Sequence, residues 1–464
     1  MKRLKNNILL VAVLCLLSLN GRGSDSLLLR FSDYMHMVMN FHPTAKQAAL
    51  LNEQSEFQLR EARGNFDPQL SADYLNKYYG SKNYYSLFSS MLSVPVWFGP
   101  ELKMGFDQNQ GLFVNDEHAT PQDGLWYAGI KVPLAQGILI DQRRAEVKKA
   151  KVFVQLNEQQ QRLMLLDLFY SAAQRYFDWY LMHKNVEVHQ NAVELASRRL
   201  NLIRELHRVG EKPGVDTLEA TIQLQSRQLD LNESKMMLRN QALLLSVFLW
   251  NDAGDPVDLK EGILPDNLNE TFDLIKADTT AFSLNQHPAL LFYDYKLQQL
   301  EIDRRLKQDK LKPKLSAQYN FLSYSSPDVP LISPNNYKWG IQFSFPLFLR
   351  QERGAIGQAK LKIQQTEYDR DLKQQELNAK IKSAFNEMNF ALQQMALALE
   401  NMRNYNALLD AEKEKFIRGE SSLFMINSRE IKVIESQLKY YNTVYKYHKS
   451  KAAYRFALGK GFDQ

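Results

Sequence analysis

Asp216 and Glu219 carry the most suggestive spacing of charged groups in the chain. Three residues apart at the start of a helical pattern, the two carboxylates share one face of that helix. Such a pair complements the partial positive charge of a helix N-terminus, an effect worth a few tenths to about 1 kcal/mol. Little else has the spacing that bond chemistry needs. There is no phosphate-binding glycine loop and no GxSxG, and the eight histidines are scattered without forming an HExxH. Ser436-Gln437-Leu438-Lys439 matches SxxK, but it lies within a long polar helical stretch without companion motifs and reads as a solvated face. Asp252, Asp255 and Asp258 lack the ligand spacing of a calcium loop. These patterns speak against an enzyme.

The elements around those residues come in duplicate. Moving His287–Tyr319 back by 245 positions places it without a gap on His42–Tyr74. His42-Pro43 meets His287-Pro288, Glu56 meets Glu301, Arg60 meets Arg305, and Pro68-x-Leu70-Ser71-Ala72-x-Tyr74 meets Pro313-x-Leu315-Ser316-Ala317-x-Tyr319. A spaced match over 33 residues marks a tandem duplication. The first copy spans 24–252 and the second 287–464, with 253–286 linking them.

In each copy a proline suited to a helix first turn opens a helical pattern, at about 43–65 and 288–311. Pro68 and Pro313 then open extended segments. In the second copy Leu315, Ala317, Tyr319 and Phe321 alternate with polar residues. After a turn at Ser325-Ser326-Pro327, so do Tyr337, Trp339, Ile341, Phe343 and Phe345. In the first copy Leu102, Met104 and Phe106 alternate, as do Trp126, Ala128, Ile130 and Val132. Period two predicts strands with one apolar, aromatic face, and the polar opposite face reads as a lumen. Strand pairs are expected at about 68–133 and 313–346, four strands in all. Tyr74 to Pro133 is 59 steps against 27 from Tyr319 to Pro346, so the first copy carries an insertion of about 32 residues. It centres on Gly80–Pro100 and fits a strand, a loop or a surface lid.

After Pro133-Leu134 and Pro346-Leu347 come very long helical patterns, with neither proline nor glycine over Asp141–His207 and Gln358–Arg418. Each predicts roughly 90–100 Å of helix, far beyond the globular average. Glycine breaks both, at Val209-Gly210-Glu211 and at Gly419-Glu420, where a left-handed C-cap is expected. Second helices follow at roughly 215–250 and 424–458, giving hairpins over about 138–250 and 352–458. In the first, Leu224, Leu231, Leu238 and Leu245 form one heptad seam, and Leu218, Ile222, Gln225 and Leu229 another. Two seams on one helix predict a neighbour on each side. In the last helix Ile431, Ile434, Leu438, Tyr441, Tyr445 and Ala452 are the predicted seam.

The net charge of +6 is mild, and no basic run with interleaved aromatics suggests nucleic acid. Lys2 to Lys5, the apolar run Ile8–Leu19 and the small residues after it read as a signal peptide over 1–23. The one cysteine, Cys15, falls inside that run behind Leu14, which argues against lipidation. No later run approaches the ~20 apolar residues of a membrane helix. An exported chain whose strands enter a bilayer must close their edges by pooling several copies. The rival reading is a periplasmic coiled-coil adaptor or scaffold without a membrane barrel, with its hairpins packed on a soluble sheet.

Over nearly its whole mature length the chain resembles the TolC-type outer-membrane efflux proteins. The resemblance rests on the duplicated His-Pro helix starts, the Pro-x-Leu-Ser-Ala strand starts and the Pro-Leu strand exits. It rests above all on the tip Val209-Gly210-x-x-x-x-Val215-Asp216-Thr217-Leu218-Glu219-Ala220. It implies a mainly α fold with a small β part, in which four strands per chain contribute to a trimeric 12-stranded barrel above coiled-coil hairpins. It further implies a passive duct in outer-membrane lipid, a homotrimer that works with a periplasmic adaptor (membrane fusion protein) and an inner-membrane pump, with no cofactor or metal. The adaptor would dock on the hairpin tips, here Val209, Gly210, Glu211, Val215, Gly419, Glu420, Leu423 and Phe424. In the family, acids six and nine positions past the second tip's glycine narrow the pore mouth. Here those positions hold Met425 and Ser428, and the equivalent acids, Asp216 and Glu219, sit in the first copy as candidate pore-mouth residues.

Overall fold

The computed structural model describes residues 28–268, 284–323 and 335–461. The signal peptide expected over 1–23, the turn at Ser325–Pro327 and part of the linker lie outside them. The elements in order are β1 (Leu28–Leu29), α1 (Phe31–Phe41), α2 (Pro43–Gly64), β2 (Gln69–Tyr79), β3 (Lys82–Pro95), β4 (Glu101–Gln110) and β5 (Leu125–Pro133). Then come α3 (Gln142–Arg208), α4 (Gly214–Ser246), β6 (Leu264–Pro265), α5 (Pro288–Asp309), β7 (Lys314–Ser323), β8 (Tyr337–Ser344), α6 (Arg350–Ile417) and α7 (Leu423–Ala457). Helices α3 and α6 have 67 and 68 residues, about 100 Å each at 1.5 Å per residue. Their bounds lie within a few residues of the sequence expectation at the glycine ends. Contacts divide the chain into two compact units. One comprises Met1–Ala48, Arg162–His287 and Gln375–Gln464, the other Ala49–Gln161 and Pro288–Gln374.

The second unit holds one antiparallel sheet in the order β2-β3-β4-β5-β7-β8. Among the described residues this sheet therefore has six strands, not the four expected, because the insertion in the first copy is itself a hairpin. In the second copy the strands after and before the long helices' junctions, β7 and β8, are direct neighbours. Their counterparts β2 and β5 are held apart by β3 and β4. The register keeps the two faces distinct across all six strands. Leu70, Leu92, Met104, Ala128, Phe321 and Tyr337 fall in one row. Val94, Leu102, Ile130, Tyr319 and Trp339 form the next. The other face carries Ser93, Lys103, Gly129, Asn320 and Lys338 in register, and Ser89 donates to Asp107 at 2.6 Å. Strands with an apolar outside and a polar inside are what a membrane barrel wall requires.

Below the sheet, Asp141 caps α3 by accepting from the Arg144 backbone N–H at 2.8 Å. Buried Asp309, at the end of α5, accepts from Gly137 N–H at 2.6 Å and from Lys312 Nζ at 2.6 Å. The connection out of β5 is thereby tied to the helix that leads into β7.

In the first unit, α1 packs against α3 and α4 through Tyr34, Val38, Ala172, Tyr176, Trp179 and Leu245. The Tyr176 hydroxyl donates to Leu29 O at 2.7 Å and accepts from Asp266 N–H at 3.0 Å. It thus ties the parallel β1–β6 pair to α3, and its burial pushes its pKa up. A second cluster sets small residues against large ones. Ala384, Met388, Ala391, Met395 and Ala398 of α6 follow a 4-3-4-3 step and face Tyr440, Val444, Tyr447 and Tyr454 of α7. This is heptad packing, but on a seam next to the predicted one. Ile431, Ile434, Leu438, Tyr441 and Tyr445 are only half-buried, because the alanines of α6 leave room for α7's tyrosines. Ser436 lies on that seam too, 6% exposed, with its hydroxyl closed onto Val433 O at 2.7 Å. It is not on a solvated face, and its proton is already committed.

His448 of α7 is half-buried beside Phe177 and donates through Nε2 to Leu268 O at 3.1 Å. Burial, and the charge of Lys451, lower its pKa from 6.5 to about 4. A folded pKa below the unfolded one means the unfolded chain binds the extra proton first. The contribution is whole above pH 6.5 and is lost as pH falls toward 4. Denaturant titrations should show about 3 kcal/mol lost across that window, and His448→Gln should flatten the slope.

Candidate functional site at the hairpin tips

Both tips are built alike. At the end of α3, Gly210 has φ +85°, Gly210 N–H donates to His207 O at 3.0 Å and Glu211 N–H to Leu206 O at 2.9 Å. At the end of α6, Gly419 has φ +78°, with Gly419 N–H to Phe416 O at 3.0 Å and Glu420 N–H to Lys415 O at 2.9 Å. These paired bonds are the Schellman cap the sequence implies. A Cβ at either glycine would meet nothing within 4 Å. Only the left-handed backbone resists substitution, at roughly 1 kcal/mol.

The structure sorts the tip residues into two sets. Val209, Val215 and Phe424 are 64%, 67% and 69% exposed, and Glu211 and Glu420 are exposed beside them. Leu423 is 5% exposed and belongs to the packing between helices, so it offers no surface in the single chain. Two residues the sequence reading missed join the exposed set, Leu218 at 59% and Ile417 at 83%. Leu218 belongs to a predicted seam, and Ile417 is the last residue of α6, so neither position announces exposure.

Asp216 and Glu219 have separate surroundings. Asp216 lies in the first turn of α4, whose N-cap Pro213 gives no side-chain cap, so the carboxylate sits where it complements the open N–H groups. Glu219 is instead drawn into a polar cluster. It accepts from Asn427 Nδ2 at 2.9 Å, and Asn427 Oδ1 accepts from Arg199 Nη1 at 2.9 Å. Arg199 Nη1 also donates to Glu430 at 2.6 Å, and Nη2 pairs with the other carboxylate oxygen. The Arg199 and Glu430 side chains are 17% and 12% exposed. This cluster joins α3 and α4 of the first hairpin to α7 of the second. A neighbouring one joins α6 to α7, where Glu412 accepts from Ser421 at 2.6 Å and meets Arg429 at 3.5 Å. Those bonds, with Ser421 first, hold the Glu412 carboxyl below its usual range. Nothing in period or spacing marks Arg199 as the partner of Glu430, 231 positions away.

Residues 283–460 match the family of outer membrane efflux proteins, and the first copy echoes that match through its ungapped repeat. Across its second copy the chain is thus similar to the outer membrane efflux proteins. Solved structures agree with this chain in fold. The Campylobacter jejuni CmeC outer membrane channel matches with a TM-score of 0.64 at 17% identity, over 92% of this chain and 85% of that one. CusC, solved in a study of folding and transmembrane channel formation, gives 0.67 at 13%, covering 93% and 92%. The open state of the Neisseria gonorrhoeae MtrE outer membrane channel gives 0.66 at 14%, covering 92% and 88%. No curated protein sequence matches. The family is one of outer-membrane ducts that extend into the periplasm rather than of enzymes. The chain's long helical hairpins and its sheet with one apolar face fit such a duct, and the soluble adaptor or scaffold reading finds no support.

Proposed function

We propose that this chain is the outer-membrane exit duct of a tripartite efflux or type I secretion system. In this reading three copies form a passive channel that docks on a periplasmic adaptor and inner-membrane pump. One observation carries self-association, the unequal fate of the two seams on α4. Leu231 and Leu245 of one seam are buried, whereas Leu218, Ile222 and Leu229 of the other are 59%, 54% and 70% exposed. Met236 and Leu243 continue that exposed stripe at seven-residue steps, 56% and 60% exposed. An apolar heptad stripe of this length facing water calls for a partner helix. A further copy of the same chain supplies helices of the same pattern, and the pump rather than the duct supplies energy and selects cargo.

Light scattering in mild detergent should give three chains, and Leu229→Asp should lower that number. A stable monomer would defeat the duct. Val209, Val215 and Phe424 are the proposed adaptor contacts. Alanine at all three should lose the adaptor in a pull-down from solubilised membranes while the trimer survives.

For the pore mouth, Asp216→Ala combined with Glu219→Ala is expected to raise single-channel conductance or weaken cation selectivity. The larger share should come from Asp216, since Glu219 is already bonded to Asn427. Unchanged conductance and selectivity in planar bilayers would leave the acids with helix-end roles only.

A further inference from the structure

The inserted hairpin lies inside the sheet, and that changes what the assembly closes into. We infer that the membrane barrel of this protein has eighteen strands, six from each of three chains, closed by pairing β8 of one copy with β2 of the next. The inference rests on the trimeric duct proposed above, and it replaces the 12-stranded barrel that resemblance alone implies.

Three observations carry it. The first is that β3 and β4 obey the same inside–outside code as the other strands. Leu92 and Val94 of β3, with Leu102, Met104 and Phe106 of β4, lie in the apolar rows, while Ser93, Lys103 and Asp107 lie in the polar ones. A hairpin folded over the surface as a lid would have no reason to keep that alternation in register with its neighbours.

The second is that the two edge strands are bare. All eleven residues of β2 are exposed, and so are seven of the eight in β8. A sheet edge in lipid leaves backbone groups unpaired at several kcal/mol each, so the edges must meet a partner. With six antiparallel strands in order, β2 and β8 run in opposite directions, and rotation about a barrel axis brings β8 antiparallel to the next copy's β2.

The third is that the duplication supplies the register. β2 corresponds to β7 by the 245-residue shift, and β5 corresponds to β8 by the 213 positions between Pro133 and Pro346. Within one chain β5 pairs β7 with Ile130 opposite Tyr319 and Lys131 opposite Gln318. Carried across the repeat, that junction places Phe343 opposite Tyr74 and Ser344 opposite Asp73 of the next copy. Both pairs keep their faces, with aromatic meeting aromatic outside and polar meeting polar inside. The β5–β7 seam that joins the two copies of the unit within a chain thus recurs between chains.

Barrel diameter grows roughly in proportion to strand number, so the outer mouth is about 1.5 times as wide as that of a twelve-stranded wall. Eighteen strands also leave an open aqueous lumen. The duct therefore suits bulkier cargo at its outer end than a twelve-stranded one admits.

The test uses the full chain in outer membranes. Asp73→Cys with Ser344→Cys, oxidised with copper phenanthroline, should give a covalent trimer on denaturing gels. Lys77→Cys with Ser344→Cys, about 13 Å out of register at 3.3–3.4 Å per residue, should not. Single variants report any background from Cys15, the chain's one cysteine. Native mass spectrometry should give three chains. Deleting 82–110, which restores the repeat's shorter hairpin, should keep the 73–344 cross-link and reduce the largest neutral polymer admitted from the outer side by about a third in radius. A channel of two chains, or a conducting trimer cross-linked at 77–344 and not at 73–344, would overturn the eighteen-stranded wall while leaving the duct intact. A deletion variant admitting polymers of unchanged size would overturn it as well. If the deletion variant does not fold, the cross-link in the full chain still decides. A chain that neither trimerises nor conducts would instead defeat the duct itself.

Discussion

Gly129→Val should abolish assembly of the membrane sheet. A Cβ at Gly129 would stand 2.1 Å from the Tyr319 carbonyl oxygen and 2.7 Å from Asn320 Cα. Both are backbone atoms of the facing strand, so no side chain can swing away to make room. The clash falls on β5–β7, where the first copy's strands join the second copy's. Relief requires that seam to open, which exposes two new edges in lipid. The expected cost exceeds about 4 kcal/mol, the range that ordinary substitutions do not reach. Outer-membrane fractions should lose the heat-modifiable trimer band, with the protein degraded or aggregated. Gly340→Val is the control. Its Cβ would meet only the Gln318 side chain, at 3.5 Å, so trimer yield should stay near the parent's. Equal yields from the two variants would refute the close approach at Gly129.

The second large effect belongs to Arg199→Ala. Its guanidinium forks onto the Glu430 carboxylate and also holds Asn427, the residue that binds Glu219. Truncation leaves Glu430, with a side chain 12% exposed, without its cation inside a helical interface. Breaking one partner of such a pair costs about 3 kcal/mol or more, since the remaining charge stays desolvated. Replacing both, as Arg199→Met with Glu430→Met, removes that penalty and is expected to recover most of the loss. Denaturant unfolding of the detergent-extracted protein provides both numbers. Limited proteolysis near residues 199–219 and 420–430 should report the loosened tips. An Arg199→Ala chain as stable as its parent would mean that the cluster is screened by water and holds the hairpins weakly.

Other strengths follow from how each feature is encoded. The helical hairpins are local. A run of sixty-odd residues with neither proline nor glycine, stopped by a glycine that takes a positive φ without strain, determines most of α3 and α6 and their caps without reference to the rest of the chain. The Pro43 and Pro288 helix starts and the period-two faces of β4, β5, β7 and β8 are local in the same sense. The repeat itself is visible as letters. The resemblance to outer membrane efflux proteins was accordingly within reach of the sequence.

What remained beyond it depends on pairing at a distance. Alternation gives the faces of a strand but not its neighbour. The Gly80–Pro100 stretch, rich in Ser and Tyr, could be seen as an insertion but not as β3, the strand that with β4 separates β2 from β5. Which seam of α7 is buried turned on the alanines of α6, and which carboxylate at the first tip is engaged turned on Asn427 and Arg199, two hundred positions and more from their partners. Period and composition constrain one element at a time. Strand order, seam choice and charge pairing are decided when elements meet, because only then do backbone edges, side-chain volumes and buried charges find the partner that satisfies them.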